Sequence, residues 1–255
     1  MQLEKKFRED KARKMDQRAA RVRKSVDRLD EVDQPRKEWE LRYQISEAPP
    51  PAEVVVTLDD VVVRRGDFAL GPVSVQIARG DRIALSGPNG SGKSTLLDAL
   101  LGRLEPASGR LSWGTRLSVG VLDQERSEVA GEGALIDVVH AALGGTDEAE
   151  TRTLLAKFGL GSEHIGRPCS SLSLGERTRA SLAVLQGRAV NVVILDEPTN
   201  HLDVEAIEQL QSALEGFAGT LVIVTHDRRL IDALGITSVW HLIPGPPARV
   251  RVETG

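Results

Sequence analysis

Short apolar runs that end in small, polar or acidic residues recur through the second half of this chain. Residues 82–85, 191–195 and 220–225 are mostly aliphatic, which is typical of strands buried on both faces of a parallel sheet. Stretches with helical apolar spacing lie between these runs. The alternation predicts an α/β domain whose parallel-sheet core is built from residues 81–101 and 180–235.

Other patterns predict smaller units around this core. Residues 54–63, 69–77 and 109–122 alternate or run apolar with β-branched residues, which predicts the strands of a small antiparallel β subdomain. Residues 131–171 have helical apolar spacing and predict a small helical subdomain. Residues 244–255 are expected to form a terminal tail or hairpin.

The first 46 residues differ from the rest in charge. Between Lys5 and Arg28 there are eleven Lys or Arg and four Asp or Glu residues, a net charge of +7, whereas the whole chain carries −4. Apolar residues here recur at three- and four-residue steps along one narrow seam: Met15, Ala19, Val22, Val26 and Leu29. We predict a long basic α-helix over residues 1–46 that pairs with one partner helix and binds a polyanion. The alternative is a solvated coiled-coil strut without nucleic-acid contact. Residues 47–53 are expected to form a stiff proline-rich linker.

Composition limits the cellular setting. The single cysteine, Cys169, excludes a disulfide framework and suits a reducing cytosol. No apolar run approaches the ~18 residues of a transmembrane helix, and the basic N-terminus lacks the apolar segment of a signal peptide. We therefore expect a cytoplasmic protein without membrane insertion.

The segment 87–95, GPNGSGKST, satisfies the phosphate-binding pattern G-x-x-x-x-G-K-[ST]. It stands between an apolar strand and an apolar helix start, where backbone N–H groups and the helix N-terminus can surround a phosphate. Lys93 would reach the terminal phosphates, and the Ser94 hydroxyl would bind Mg²⁺. The residues predicted to hold a nucleoside triphosphate are Gly87, Pro88, Asn89, Gly90, Ser91, Gly92, Lys93, Ser94 and Thr95.

Two carboxylates, Asp196 and Glu197, follow the apolar run 191–195. Ligands gather at the carboxyl ends of parallel strands. Asp196 is therefore expected to hold Mg²⁺ through water, and Glu197 to orient and deprotonate an attacking water molecule.

A third segment, Leu172–Glu176 with the sequence LSLGE, precedes a predicted helix. Together with the two preceding motifs it resembles the ATP-binding cassette (ABC) ATPases, whose signature loop is LSGGQ; this chain has Leu at the third position and Glu at the fifth. The resemblance implies that Ser173, Gly175 and Glu176 contact ATP held by an opposite cassette. A capping box between Ser173 and Glu176 is compatible with that role.

The resemblance, which covers residues 54–243, assigns further roles. Gln124 would sense Mg²⁺ and the attacking water, Asp203 would belong to the D-loop, and His226 would contact the γ-phosphate. The aromatic residue that stacks on adenine in the family is missing near Arg65, so either Arg65 stacks on the base or Phe68 substitutes for the aromatic residue. The catalytic set is then Lys93, Gln124, Glu197 and His226, and the metal ligands are Ser94, Gln124 and Asp196.

Three features resemble the ABC-F proteins, twin-cassette ATPases of translation: Glu176, the sequence DEPTNHLD at 196–203, and the charged N-terminal segment. The match is to their second half, a returning linker helix plus a C-terminal cassette. It implies a Mg²⁺-dependent ATPase that contacts the ribosome, rRNA or tRNA through residues 1–46, in housekeeping translation or in antibiotic resistance. It also implies a second cassette as partner, whether a missing N-terminal half, a split partner or a homodimer.

Two other classes of ATPase are compatible with the cassette motifs. The leading alternative is the ATP-binding subunit of an ABC membrane transporter, which has no obvious use for the basic segment. A chromosome-maintenance ATPase is disfavoured, because no long coiled coil separates the phosphate loop from Asp196.

Overall fold

The computed structural model of the protein describes residues 51–145 and 147–254. The basic helix predicted for residues 1–46 lies outside these residues, as does most of the linker. The strands are β1 (Val54–Arg65), β2 (Phe68–Ala78), β3 (Arg82–Ser86), β4 (Ser108–Trp113), β5 (Val119–Leu122), β6 (Val192–Asp196), β7 (Thr220–Val224), β8 (Ser238–Ile243) and β9 (Arg249–Thr254). The helices are α1 (Lys93–Leu100), α2 (Leu135–Ala142), α3 (Glu148–Lys157), α4 (Ser162–Ile165), α5 (Leu174–Gly187), α6 (Val204–Glu215) and α7 (Arg228–Ala233), with 3-10 turns at Ser127–Val129 and Cys169–Ser171.

A six-stranded sheet forms the centre of the fold, in the order β5-β6-β7-β3-β8-β9. All neighbouring pairs are parallel except β8 and β9. Every residue of β7 is buried, as expected of an aliphatic strand covered on both faces. This confirms the predicted α/β architecture with a parallel core. Because β3, β7 and β6 are neighbours, the segments that follow them meet at one edge of the sheet.

A second sheet of three antiparallel strands has the order β2-β1-β4. Residues on its inner face, such as Val56, Leu58 and Ile77, join the same hydrophobic core as β3 and α1. The small antiparallel sheet therefore packs beside the strand that leads into the phosphate loop.

The prediction that residues 109–122 form one part of the β subdomain is wrong for its second half. β4 pairs with β1 in the antiparallel sheet, whereas β5 pairs in parallel with β6. Gly120 in β5 has no room for a side chain, since a Cβ atom there would meet Leu185 of α5. The strand β5 therefore belongs to the core sheet, where α5 packs closely against it.

The segment 131–171 is mainly helical and contains α2, α3, α4 and the second 3-10 turn. Its buried residues include Leu135, Val139 and Leu155. At the other end of the chain, β8 and β9 form an antiparallel hairpin. β8 also pairs in parallel with β3, so this hairpin extends the core sheet. None of the helices in the described part of the chain is long and apolar enough to cross a bilayer.

Candidate nucleotide site

The loop between β3 and α1 depends on glycine at defined positions. Gly87, Gly90 and Gly92 have φ values of 154°, 77° and 100°, a region that residues with a side chain rarely adopt. A Cβ atom at Gly92 would lie 2.6 Å from Phe68 Cζ, whereas one at Gly90 would meet nothing within 4 Å. Gly92 is therefore required by both conformation and space, and Gly90 by conformation alone.

Lys93, the first residue of α1, is hydrogen-bonded to the backbone of this loop. Its ammonium donates hydrogen bonds to the carbonyl oxygens of Gly87 (2.8 Å) and Pro88 (3.2 Å), and the residue is only 9% exposed. The positive charge of Lys93 thus lies between the turn of the loop and the N-terminus of α1. The ammonium group and the helix N-terminus both attract anions.

The two predicted carboxylates lie at the end of β6, next to the ends of β3 and β7. Glu197 has a left-handed backbone, φ 45°, and its N–H donates to the carbonyl of Val224 in β7 (2.8 Å). Its Oε1 lies 3.4 Å from Nε2 of His226, which follows β7. Burial raises the pKa of Glu197 above the usual range, and the charges of His226 and Lys93 oppose this only in part. A carboxyl with a raised pKa is a stronger base once ionised.

Asp196 lies in a more acidic setting. Burial and the nearby charge of Asp98 raise the pKa of Asp196, while Lys93 lowers it. Asp98, on α1, forms ion pairs with Arg65 and Arg103. Sequence reasoning missed Asp98; its signal is a single acidic residue in the otherwise apolar run LLDALL.

The phosphate loop and the ends of these strands surround a cavity of about 490 Å³. It is lined by Arg65, Phe68, Asn89, Gly90, Gly92, Lys93, Ser94, Thr95, Gln124, Asp196, Glu197 and Val224. The cavity thus gathers most of the predicted loop residues, Gln124, both carboxylates and both candidates for base stacking. The lining does not include Gly87, Pro88 and Ser91. It does not include His226 either, but this residue contacts the lining residue Glu197.

The predicted signature residues lie elsewhere, at the start of α5. Ser173 is the N-cap and forms a capping box with Glu176: its hydroxyl accepts from the Glu176 N–H (3.2 Å), and its own N–H donates to Glu176 Oε2 (2.7 Å). Glu176 Oε1 also lies 3.1 Å from both His164 Nε2 and Arg167 Nη1. Burial alone would raise the pKa of Glu176, but the hydrogen bonds with Ser173 and the charges of Arg167 and His164 lower it below its usual range.

Asp203 has a similar structural role, as the N-cap of α6 that accepts from the Ala206 N–H (2.8 Å). A Cβ atom at Gly175 would lie 3.4 Å from Ala206 Cβ. The start of α5 and the start of α6 are therefore neighbours, although none of Ser173, Gly175, Glu176 and Asp203 lines the cavity.

Comparisons with known proteins agree on one family. The family model described as "ABC transporter" matches residues 70–200, just over half of the chain. The chain is 37% identical over 222 residues to the putative ATP-binding protein YdiF of Bacillus subtilis, with 85% of this chain and 34% of YdiF covered. It is 35% identical over 192 residues to ABC transporter F family member 4 of Arabidopsis thaliana, with 73% and 27% covered. The chain thus spans about a third of the length of these relatives.

A solved structure has the same fold at low sequence identity. It is the dimeric cassette MJ0796 in a post-hydrolysis state bound to ADP and Pi, which superposes with a TM-score of 0.62 at 20% identity, covering 78% of this chain and 98% of that one.

Proposed function

Because this chain belongs to the ABC family and matches its ABC-F members, we propose that it binds ATP with Mg²⁺ and hydrolyses it in an assembly with a second cassette. One observation carries this proposal. The cavity joins Lys93 and Ser94 of the phosphate loop to the carboxylates Asp196 and Glu197. Phosphate-binding groups and a base with a raised pKa are the elements that hydrolysis of a terminal phosphate requires.

Glu197 is proposed as the base for the attacking water. Its fixed backbone hydrogen bond to Val224 and the raised pKa of its carboxyl support this role. His226, which lies against the Glu197 carboxylate, would contact the γ-phosphate from the neighbouring strand. Lys93 would exchange its two carbonyl partners for phosphate oxygens.

The donors available for Mg²⁺ are the Ser94 hydroxyl, the Gln124 side-chain carbonyl and the Asp196 carboxylate, which all line the cavity. The described residues contain no cluster of three or more His, Cys, Asp or Glu side chains able to hold a metal. A few oxygen donors beside a phosphate site fit Mg²⁺, which keeps several waters and binds substrate phosphates. When bound, Mg²⁺ would neutralise charge on the phosphates. A cation would also favour the ionised form of Asp196, whose pKa is raised.

For the nucleobase, the environment of the two candidates favours Arg65. The ring of Phe68 packs against Gly92, where it would lie within 3 Å of an added Cβ atom. Arg65 is half-exposed and is held at the rim of the cavity by its ion pair with Asp98. Its planar guanidinium can stack on a base.

A second cassette is proposed because Ser173, Gly175 and Asp203 lie outside the cavity, at the adjacent starts of α5 and α6. They would act on ATP held by the partner. The specific activity of the purified chain should then rise with protein concentration, or should require an added cassette.

The proposed target is the ribosome. This part rests on the likeness to ABC-F proteins and on the net charge of +7 between Lys5 and Arg28. Residues 1–46 would displace counterions from phosphates of rRNA or tRNA. The role on the ribosome would be in ordinary translation or in protection against antibiotics.

The experiment has two measurements on the full chain: phosphate release from ATP, and co-sedimentation with ribosomes with and without ATP. We expect ATP-dependent release that a Lys93→Ala change abolishes, and ribosome binding that increases with ATP. Hydrolysis without ribosome binding would favour the transporter-subunit alternative. A chain that neither binds nor hydrolyses ATP, alone or with an added cassette, would refute the proposal.

A further inference from the structure

Arg126 is buried where three segments that carry site residues meet. The residue is 1% exposed and has a left-handed backbone, φ 56°. It follows Gln124, which lines the cavity, by two positions. The roles proposed above do not include it.

Each guanidinium nitrogen of Arg126 donates to a different segment. Nε donates to Oγ1 of Thr178 in α5 (3.0 Å), and Nη2 donates to the carbonyl of Pro198 (2.6 Å). Nη1 donates to the carbonyl of Asp123. Pro198 follows Glu197 directly, and Asp123 precedes Gln124, so one side chain links the neighbours of two proposed site residues with α5.

The link continues to the N-terminus of α5. Thr178 Oγ1, which accepts from Arg126, donates to the carbonyl of Leu174 (2.9 Å). Leu174 is the first residue of α5 and follows the N-cap Ser173. A hydrogen-bonded path therefore runs from the backbone beside Glu197 and Gln124 to the signature residues.

The buried charge makes a shift of any one of these segments costly. The Arg126 side chain is 1% exposed, and an arginine side chain is protonated at neutral pH. Its partners are two carbonyls and a hydroxyl held by a planar fork of donors. If one segment shifted alone, a buried charged donor would lose its acceptor, which is costly.

We propose that Arg126 is a positioning residue that couples the nucleotide cavity to the signature end of α5. The inference rests on the proposed ATP function. Nucleotide contacts at Gln124 and Glu197 would be transmitted through Arg126 and Thr178 to the first turn of α5, which presents Ser173 and Gly175 to the second cassette.

The test compares Arg126→Met with a matched control, Arg82→Met. Arg82 is partly buried, less deeply than Arg126, and donates to three backbone carbonyls, of Leu214 (3.2 Å), Leu234 (2.8 Å) and Phe217. However, it lies at the start of β3, at the opposite end from the phosphate loop. Loss of stability alone should therefore affect both variants, whereas loss of coupling should affect only Arg126→Met. Thr178→Val removes the same link at smaller cost and serves if Arg126→Met does not fold.

Amide hydrogen exchange of the full chain, at a concentration at which it is monomeric and with and without ATP and Mg²⁺, reports coupling without requiring turnover. In the monomer no ATP from a second cassette contacts Ser173 or Gly175, so protection of residues 174–178 reports the path through Arg126. In the parent and in Arg82→Met, nucleotide should slow exchange both in residues 87–95 and in residues 174–178. In Arg126→Met and Thr178→Val, protection of 87–95 should remain and protection of 174–178 should disappear. Turnover under conditions that complete the cassette pair should fall on the order of 100-fold, the loss expected from small misplacement of catalytic groups, while nucleotide affinity changes little.

The outcomes separate the two proposals. Protection of residues 174–178 that persists in both Arg126→Met and Thr178→Val overturns the coupling, as does a parent in which ATP protects only 87–95. A parent in which ATP protects neither segment instead refutes the proposed ATP function.

Discussion

Replacing Gly92 by Ala tests how the phosphate loop is built. The structure separates two costs of a side chain in this loop, because Gly90 and Gly92 both have positive φ values but only Gly92 faces another group. A residue with a Cβ atom in a left-handed conformation costs about 1–2 kcal/mol. At Gly92 the added methyl would also displace the half-buried ring of Phe68, and overpacking of this kind costs about 1–3 kcal/mol.

We therefore expect Gly90→Ala to lower the free energy of unfolding by about 1–2 kcal/mol and Gly92→Ala to lower it by about 2–5 kcal/mol. For a domain of this size each kcal/mol corresponds to a fall in Tm of about 2–4 °C. Urea and thermal unfolding without nucleotide measure the two variants, so that any change in ATP affinity does not enter the comparison.

A double-mutant cycle with Phe68→Leu isolates the steric part. The smaller side chain should relieve the clash, so that Gly92→Ala costs at least about 1 kcal/mol less in the Phe68→Leu background. The reasoning fails if Gly90→Ala and Gly92→Ala are equally destabilising, or if the effects of Gly92→Ala and Phe68→Leu simply add.

Three further predictions concern the rate of ATP hydrolysis, its pH dependence and ribosome binding. Glu197→Gln removes the proposed base, so phosphate release should fall 10²–10⁴-fold while equilibrium ATP binding persists; a rate near that of the parent would contradict the assignment. Because burial raises the pKa of Glu197, the rate of hydrolysis should fall on acidification, and at a higher pH than for an exposed glutamate. The residual rate of Glu197→Gln should not show this acidic fall. Removal of positive charge from the N-terminal segment should weaken ribosome co-sedimentation while ATP turnover stays unchanged. The slope of log affinity against log salt concentration should become smaller in magnitude by roughly 0.7–0.9 for each RNA phosphate that is no longer neutralised. An unaltered slope would indicate that the segment is only a spacer. The residues to change together to Gln are Lys11, Arg13, Lys14, Arg18 and Arg21.

The parts of the site that sequence reasoning located are those in which conformation and chemistry are specified by consecutive residues. The segment 87–95 contains the glycines that its backbone requires and the lysine that closes it. Asp196 and Glu197 could be placed because they end an aliphatic strand, which fixes the edge of the sheet at which they lie. The two residues of the capping box, Ser173 and Glu176, are only three positions apart, so the pattern is also visible in the sequence.

The division between β4 and β5 could not be predicted in the same way. β4 carries Leu and Trp and β5 carries Val and Leu, and an apolar pattern of this kind indicates a strand without identifying its partner. The partner of β5 is β6, whose first residue is about seventy positions further along the chain. The parallel pairing with β6 and the packing of α5 against Gly120 show that this strand belongs to the core sheet.

Arg126, the residue proposed to couple the cavity to α5, could not be predicted from the sequence either. It follows Gln124 and Glu125 in a polar loop, where a charged residue is normally exposed to solvent. Its acceptors Thr178 and Pro198 are 52 and 72 positions away, so neither its burial nor its partners leave a local signal. The pairing of β5 with β6 brings the segment after Leu122 beside the segment after Asp196, and the Arg126 side chain joins both segments to Thr178 of α5. A residue proposed to hold the segments after β5 and β6 in register must reach across the fold. We therefore expect such residues to be identified from structure even where each proposed catalytic residue is evident from its own motif.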